Sequence, residues 1–385
     1  MDKKQPVAVI CGVGRMGQTI AWAMQEFGFH VIGLDQNENI AATLPADMDF
    51  LKVKDQNDIT KSLLLTSPDV VISSLPYHQT QEVAKQCIVH SHIPYCDLGG
   101  KVNVSDRINR MGAKTPVFTD LGLAPGWVNI LAEHGCDELL KNGDQAEDIK
   151  MMVGGIPEAP DNPLNYFVTW SIDGLINEYR DDCSVLENGH SIRRQGMSGL
   201  EHVPFKSLNK NLEAFYTSGG ASHSTQSMLE RGVLNCSYKT LRYQGHRDIV
   251  QFLIRKCKLS DECLTNIFEG CTPAWSAGND SPSARPKDMV LIKVTIKGKQ
   301  GSNWEKEIII PSFSQSFGVG QGGCPYSAMQ KATGFSLASI AKEMIPGLSL
   351  DKPRSLSYKD VNYEKFTENM NLLREKVGDA PYEQD

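Results

Sequence analysis

The loop Gly12-Val13-Gly14-Arg15-Met16-Gly17 has the spacing G-x-G-x-x-G. Alone the string is weak, because glycine triplets occur by chance in many loops. Here it follows the apolar β-branched run Val7–Cys11 and opens a helical pattern from Met16 to Gln25, the strand–loop–helix setting that gives it a mechanism. In that setting Gly12 turns the chain, Gly14 lets backbone approach a pyrophosphate, and Gly17 lets helix pack on strand. The helix start, with Arg15 and Met16, offers free N–H groups and positive dipole to phosphate. Arg15 either contacts phosphate or stacks, or is simply exposed at the head of the helix. Asp35 lies 18 residues beyond Gly17, at the end of a second strand, His30–Asp35. A carboxylate there accepts bonds from ribose hydroxyls and repels a 2′-phosphate, and Gln36-Asn37-Glu38 supplies no arginine to hold one. The chemistry is dinucleotide binding, with NAD favoured over NADP. The bland alternative is a tight turn with a surface aspartate.

The elements that position this loop alternate in kind. Val70–Ser74 and Tyr95–Leu98 read as strands with a helix across Gln79–Ile88 between them; Phe50–Val53 is a weaker strand and Val117–Thr119 the last. Strands separated by short helices imply a parallel sheet with right-handed crossovers. Residues 1–125 are therefore expected to form a Rossmann-type, doubly wound α/β domain. After Gly126 the pattern changes. Asp148–Val153, Met289–Lys297 and Glu305–Ile310 alternate with period two, as strands covered on one face do. Between the last two, Gly298 and Gly301 are free to take positive φ in a hairpin. Few helices interrupt this region except around His246–Arg255. Residues 126–325 read as an α+β domain on a mainly antiparallel sheet, expected to bind substrate and to form a dimer interface. Ser316–Pro325 is a Gly-rich joint. Tyr326–Ile345 follows as an amphipathic helix whose stripe includes Ala332, Phe335, Ala338 and Met344, and residues 326–385 are expected to complete the first domain.

Composition narrows the function class. The chain has 385 residues, 40% hydrophobic and 22% charged, with a net charge of −7, which is ordinary for a globular protein and excludes wholesale disorder. It lacks a run of roughly eighteen apolar residues, so no membrane span is expected, and its first apolar stretch is too short for a signal peptide. The absence of a Lys/Arg stripe argues against nucleic acid. Ten cysteines include no C-x-x-C pair and no zinc-like spacing. They read as reduced thiols of a cytoplasmic protein, with no metal expected.

Past the cofactor loop come several long, unusual strings: Ser74-Leu75-Pro76-Tyr77, Asp97-Leu98-Gly99-Gly100, Asp120-Leu121-Gly122-Leu123-Ala124-Pro125-Gly126 and Gly154-Gly155-Ile156-Pro157. Farther on stand Asn162-Pro163-Leu164-Asn165-Tyr166, Asp173-Gly174-Leu175-Ile176-Asn177-Glu178-Tyr179, the run Leu212–Gly220, and Tyr238–His246 (YKTLRYQGH). In unbroken order across roughly positions 5–345, they resemble the saccharopine dehydrogenase-like family, and within it most the lysine 6-dehydrogenases. Two departures stand out. Gln244 occupies a position where related sequences often carry Pro, and Ala221–Arg231 is longer than the usual link. The resemblance implies NAD-linked oxidation at a carbon bearing an amine. For the lysine 6-dehydrogenases this is ε-deamination of L-lysine through an imine, with release of ammonia and a semialdehyde; for saccharopine dehydrogenases it is the same step on a secondary amine.

Such chemistry needs a base for the ammonium proton, positioned water, and an anchor for the substrate carboxylate. Ser74, Leu75 and Pro76 end the fourth strand, where ligands bind in open α/β sheets. Tyr77 and His78 then either face the nicotinamide or, for His78, sit exposed at a helix start. Asp120, before a hinge-like Gly-Leu-Ala-Pro-Gly, either takes the ammonium proton or ties down its turn. Asp97, before Gly99-Gly100, is structural or cofactor-side. Thr217, Ser218, Gly219 and Gly220 offer hydroxyls and bare N–H groups to a carboxylate or water, or form a plain turn. Arg242 is the choice for the α-carboxylate, because its planar fork binds bidentately, with an interdomain salt bridge as the alternative for it and for Lys239. Lys239, three residues away, would face the other side of a strand. Glu213 could bind a cationic group or lie at the surface, and His246 either caps the next helix or borders the pocket. Two other classes stay open. One is a sugar or bilin-type reductase, against which the Asp97–Lys101 stretch stands where those carry Glu-Lys-Pro. The other is a non-catalytic NAD-binding protein.

Overall fold

The computed structural model describes residues 5–272, 286–312 and 326–382. The Ser316–Pro325 joint lies outside the described residues. Two compact units emerge, Met1–Ile130 with Gln330–Asp385, and Leu131–Met329.

The first unit begins β1 (Val7–Cys11), α1 (Arg15–Glu26), β2 (His30–Asp35), β3 (Asp49–Lys52), α2 (Gln56–Thr66) and β4 (Val70–Ser73). It continues with α3 (Tyr77–Lys85), β5 (Tyr95–Asp97), α4 (Val102–Asn109) and β6 (Val117–Phe118); the next helix, α5 (Trp127–Lys141), begins in this unit and from Leu131 belongs to the second. All strand neighbours are parallel, in the order β3-β2-β1-β4-β5-β6. Strands covered on both faces need continuous apolar runs, and VAVIC and VVIS supply them: Val9, Ile10, Val71 and Ile72 are fully buried. Helices α2 and α4 carry weak sequence signals. Helix α2 buries only Ile59 and Leu63 and relies on its cap, Asp55, which accepts from the N–H groups of Asn57 and Asp58. Such a cap contributes about 1 kcal/mol.

The second unit holds β7 (Ala146–Pro157), α6 (Ile172–Arg180), β8 (Cys183–Glu187), β9 (His190–Arg194), β10 (Glu201–Phe205) and β11 (Lys210–Tyr216). After these come α7 (Ser224–Glu230), β12 (Asn235–Arg242), α8 (His246–Gln251), α9 (Asp261–Cys271), β13 (Asp288–Gly298) and β14 (Asn303–Pro311). The sheet runs β10-β11-β12-β7-β13-β14, with the β8–β9 hairpin attached to β12. It is mixed rather than purely antiparallel, because β7 and β12 pair in parallel across a long connection. Strand β7 outruns its visible alternation. Its Gly154-Gly155 still pairs with β13, and a Cβ at Gly154 would come within 2.6 Å of the Leu241 carbonyl oxygen.

Two expectations need correction here. In the β13–β14 hairpin only Gly301 takes positive φ (92°). Gly298 instead leaves room for Asp144, whose carboxylate accepts from the N–H groups of Gln300 and Ser302. The region is also more helical than its pattern suggests: α6 and α9 pack with α8 through Leu175, Tyr179, Val250, Leu264 and Phe268. These helices are short, so two turns of buried residues in each leave little periodicity to read.

The chain returns to the first unit with α10 (Ala328–Ala341) and α11 (Tyr363–Lys376). The expected stripe of α10 is buried, but so are Ser336, Ser339 and Lys331, so the helix is enclosed on all sides rather than amphipathic. Between the two helices, the Leu356 N–H donates to Val117 and the Val117 N–H to Arg354, which covers the outer edge of β6. Trp127 packs under Phe366 and Tyr382. Among the described residues no helix is long and apolar enough to cross a membrane.

Candidate functional site

In the first unit the strand order reverses between β1 and β4, and open α/β sheets bind ligands beyond the carboxyl ends at that point. The glycine loop lies there, and its three glycines have three different reasons. Gly12 turns at φ 85° against the Ser74 backbone and Leu75, 3.2 and 3.1 Å from where its Cβ would be. At Gly17 a Cβ would come 2.0 Å from the Gly12 carbonyl oxygen, so α1 can close on the loop only without one. Gly14 is exposed, and among the described residues a Cβ there would meet nothing within 4 Å, so none of them requires its bareness. Helix α1 starts without a capping side chain. An open glycine beside an uncapped helix start fits a pyrophosphate.

Asp35 is half-buried and already employed. One carboxylate oxygen accepts from the Val13 N–H at 3.0 Å and the other from the Asn37 N–H at 2.9 Å. It thus fastens the glycine loop to the end of β2, and each oxygen keeps a second lone pair for a ribose hydroxyl. Lys52, opposite Asp35 in the strand register, is tied to Glu38. Ser74 and Leu75 lie against the loop, while Arg15 and Pro76 are exposed and Met16 is half-buried. Tyr77 opens α3 and packs on Gly100, with the Lys101 ammonium 5.6 Å from its ring. His78 is exposed, edge-on to Tyr77.

Asp97 and Asp120 are brought into direct contact. Asp97 accepts from the Asp120 N–H at 3.1 Å and from the Tyr95 hydroxyl at 2.9 Å. Burial, with the Asp120 charge adding to it, pushes the Asp97 carboxyl up to about 7 despite these bonds. Asp120 is only 1% exposed, sits at φ 62°, and accepts from the Ser105 hydroxyl at 2.6 Å. Its carboxylate leaves Gly99 no room for a Cβ. These bonds tie Asp120 into its turn.

The second unit gathers a polar cluster around Arg242, which is 3% exposed at the end of β12. Its guanidinium lies 4.5 Å over the Tyr166 ring, donates through Nε to the Tyr179 hydroxyl at 3.0 Å, and donates through Nη1 to the Leu241 carbonyl. Among the described residues it has no carboxylate within ion-pair distance, and Nη2 has no hydrogen-bond partner. A buried fork with open donors is built to receive an anion. Glu178, one position before Tyr179 on α6, has its carboxyl pushed up to about 7 by burial, with the Arg242 charge opposing. His246 is fully buried, its Nε2 3.0 Å from the Tyr179 hydroxyl and its Nδ1 2.8 Å from the Leu164 carbonyl. Burial, and then the Arg242 charge, lower its pKa to about 3.

Other expected residues of this unit have different work. Glu213 is 2% exposed and accepts from the N–H groups of Gly245 and Arg247, closing the start of α8 in place of a local cap. It is not at the surface. The buried Thr217 hydroxyl is shared with Thr240 at 2.7 Å, because it points between β11 and β12. Ser218 is held to α6, its hydroxyl donating to the Asn177 carbonyl and its N–H to that of Glu178. Gly219, at φ 90°, has open space where a Cβ would lie, whereas Gly220 lies on the Tyr238 ring. Lys239 faces away from Arg242 and binds Glu201 over Tyr216. The Ala221–Arg231 link contains α7, fastened to α5 by Arg231 and Ser227 on the buried Glu133. Among the described residues no group of three or more His, Cys, Asp or Glu could hold a metal.

Sequence reasoning passed over Glu178, Tyr179 and Tyr166 as site residues. The signal was present: Leu175 and Tyr179 are four apart on α6, so a buried tyrosine hydroxyl was due a partner.

Comparison with known proteins adds the following. Residues 122–378 match the family model described as the saccharopine dehydrogenase C-terminal domain, and residues 6–93 match that of the NADP oxidoreductase coenzyme F420-dependent family. The chain is 27% identical over 304 residues to mitochondrial alpha-aminoadipic semialdehyde synthase of Mus musculus, covering 68% of this chain and 31% of the relative. It is 24% identical over 284 residues to saccharopine dehydrogenase [NADP(+), L-glutamate-forming] of Saccharomyces cerevisiae, covering 69% of this chain and 60% of the relative. The matches thus span less than two thirds of these relatives. The fold is that of an apo saccharopine dehydrogenase (L-Glu forming) from Saccharomyces cerevisiae, with a TM-score of 0.71 at 17% identity over 97% of this chain and 98% of that one.

Proposed function

The chain belongs to the saccharopine dehydrogenase family, and from that premise we propose that it is an NAD-linked oxidoreductase acting on the amine-bearing carbon of an amino acid, with ε-deamination of L-lysine as its reaction. The observation that carries this reading is Arg242: a buried guanidinium, stacked on Tyr166, with donors left open. In this reading its fork takes the α-carboxylate of the amino acid. Glu178, raised to about 7, takes the proton of the reacting ammonium, since a carboxyl tuned near neutrality can both accept and return one. Gly12, Gly14, Gly17 and Asp35 hold the dinucleotide, whose nicotinamide supplies the hydride acceptor. NAD is the proposed form, because a carboxylate ends β2 and Lys52 is engaged by Glu38.

A second reading, oxidation of a secondary amine of the saccharopine kind, is favoured by the printed names of the relatives. A panel of L-lysine, saccharopine and simple amines, each with NAD and NADP, separates the two. The proposal expects L-lysine with NAD to give the fastest reduced-nucleotide formation, with ammonia released. Alcohols or sugars turning over while every amine stays inert would defeat both. Within the panel, Arg242→Lys keeps the charge but loses the fork. It should raise KM for the amino acid about tenfold or more, with NADH affinity unchanged.

A further inference from the structure

The bonds that surround Arg242 have a definite direction. The Leu164 carbonyl can only accept, so His246 Nδ1, 2.8 Å away, must carry a proton. With a pKa near 3 the ring is neutral, so Nε2 is bare and can only accept. The Tyr179 hydroxyl, 3.0 Å from that nitrogen, must therefore donate to it. Its oxygen lone pairs are then turned to the Arg242 Nε–H, also at 3.0 Å. The donor order is Arg242 to Tyr179, Tyr179 to His246, His246 to Leu164. Reversing the tautomer would set a bare Nδ1 against the Leu164 carbonyl oxygen, two acceptors facing each other, and leave that carbonyl without its bond.

We infer that His246 is a positioning residue: held as the Nδ1–H tautomer by the Leu164 carbonyl, it orients the Tyr179 hydroxyl, and through it aims the Arg242 fork. It touches no substrate, since it is wholly buried and both ring nitrogens are engaged. The charged and titratable groups facing it are Arg242, Tyr179 and Tyr166, with Glu178 beyond them on α6. A protonated ring would put a second cation beside Arg242 and would take away the acceptor that Tyr179 needs. This inference deepens the reading of Arg242 as the carboxylate anchor and rests on it.

Two measurements test it. The first uses the whole protein with ¹⁵N-labelled histidine, His246→Gln serving to assign the signal. Nδ1 should show a protonated nitrogen shift and Nε2 an unprotonated one, unchanged from about pH 5 to about pH 9, where an ordinary histidine titrates. An Nε2–H pattern, or titration in that interval, overturns the inference whatever the substrate. The second measures L-lysine oxidation by Tyr179→Phe, His246→Leu and His246→Gln. The first two should raise KM about tenfold with kcat nearly unchanged, because a misaimed anchor weakens ground state and transition state alike. His246→Gln, whose side-chain oxygen can still accept from Tyr179, should recover most of the loss. Equal damage in Gln and Leu variants, or a fall in kcat at constant KM, overturns it. A wild-type protein inert toward L-lysine defeats the proposed substrate instead, and the nitrogen shifts still decide the tautomer.

Discussion

Asp97 and His246 are both buried, and pH acts on them in opposite directions. The Asp97 pKa is raised in the fold to about 7, so its contribution to stability is complete below the ordinary 3.8 and is lost as pH rises through 7. The His246 pKa is lowered to about 3, so its contribution is present above 6.5 and lost as pH falls toward 3. Asp97→Asn keeps the shape and removes the titration. Its urea midpoint should therefore decline less than wild type's between pH 5 and pH 8; identical declines would mean that Asp97 does not carry the effect. Glu178 makes a kinetic prediction. Glu178→Gln should lower kcat by about 10²–10⁴, the usual worth of acid–base help, and abolish the limb of the pH–rate profile near 7. A native kcat in this variant would return the search for a base to His78. At this scale residue types were legible in the chain but their employment was not. Arg242 was marked by its fork, whereas the raised carboxyl of Glu178 depends on burial in the folded chain, with Arg242 of β12 opposing it. Glu213 looked available for a ligand because nothing local reveals that α8 lacks its own cap.

Elements were most readable where one physical cause dominates. Buried parallel strands demand unbroken apolar runs, so β1, β2 and β4 stand out in the sequence almost to the residue. Helices α6, α7 and α9 did not, being short and stabilised by tertiary packing more than by their own periodicity. The loop between β1 and α1 permits a test of function against fold within six residues. A methyl group at Gly14 meets open space, so Gly14→Ala should melt like wild type yet bind NADH at least about tenfold more weakly, a loss near 1.4 kcal/mol. At Gly17 the same methyl would collide with the Gly12 carbonyl, so Gly17→Ala should lose both melting temperature and NADH affinity. Equal NADH titrations for Gly14→Ala and wild type would remove the pyrophosphate from this loop.

On the scale of the whole molecule, the first unit is made from two stretches of chain that lie far apart in sequence. Its sheet edge depends on the later one, through the bonds that join Val117 to Arg354 and Leu356, and the Tyr358 hydroxyl reaches the Asp120 carbonyl at 2.9 Å. Leu356→Pro removes one of these donors and leaves the buried Val117 carbonyl unpaired, a cost of about 1–3 kcal/mol. Calorimetry should show a drop of several degrees in melting temperature; an unchanged value would mean that the edge is closed by other contacts. The same feature has a consequence in time. The ribosome delivers β6 more than two hundred residues before the segment that covers it. At about 5–20 residues per second that interval is roughly 10–50 s. Throughout it a nearly finished parallel sheet shows an unpaired strand to its neighbours on the same polysome. The nascent chain is most exposed to mispairing when its first unit already looks complete, and a chaperone that shields that edge would matter more to yield than to the stability of the finished protein.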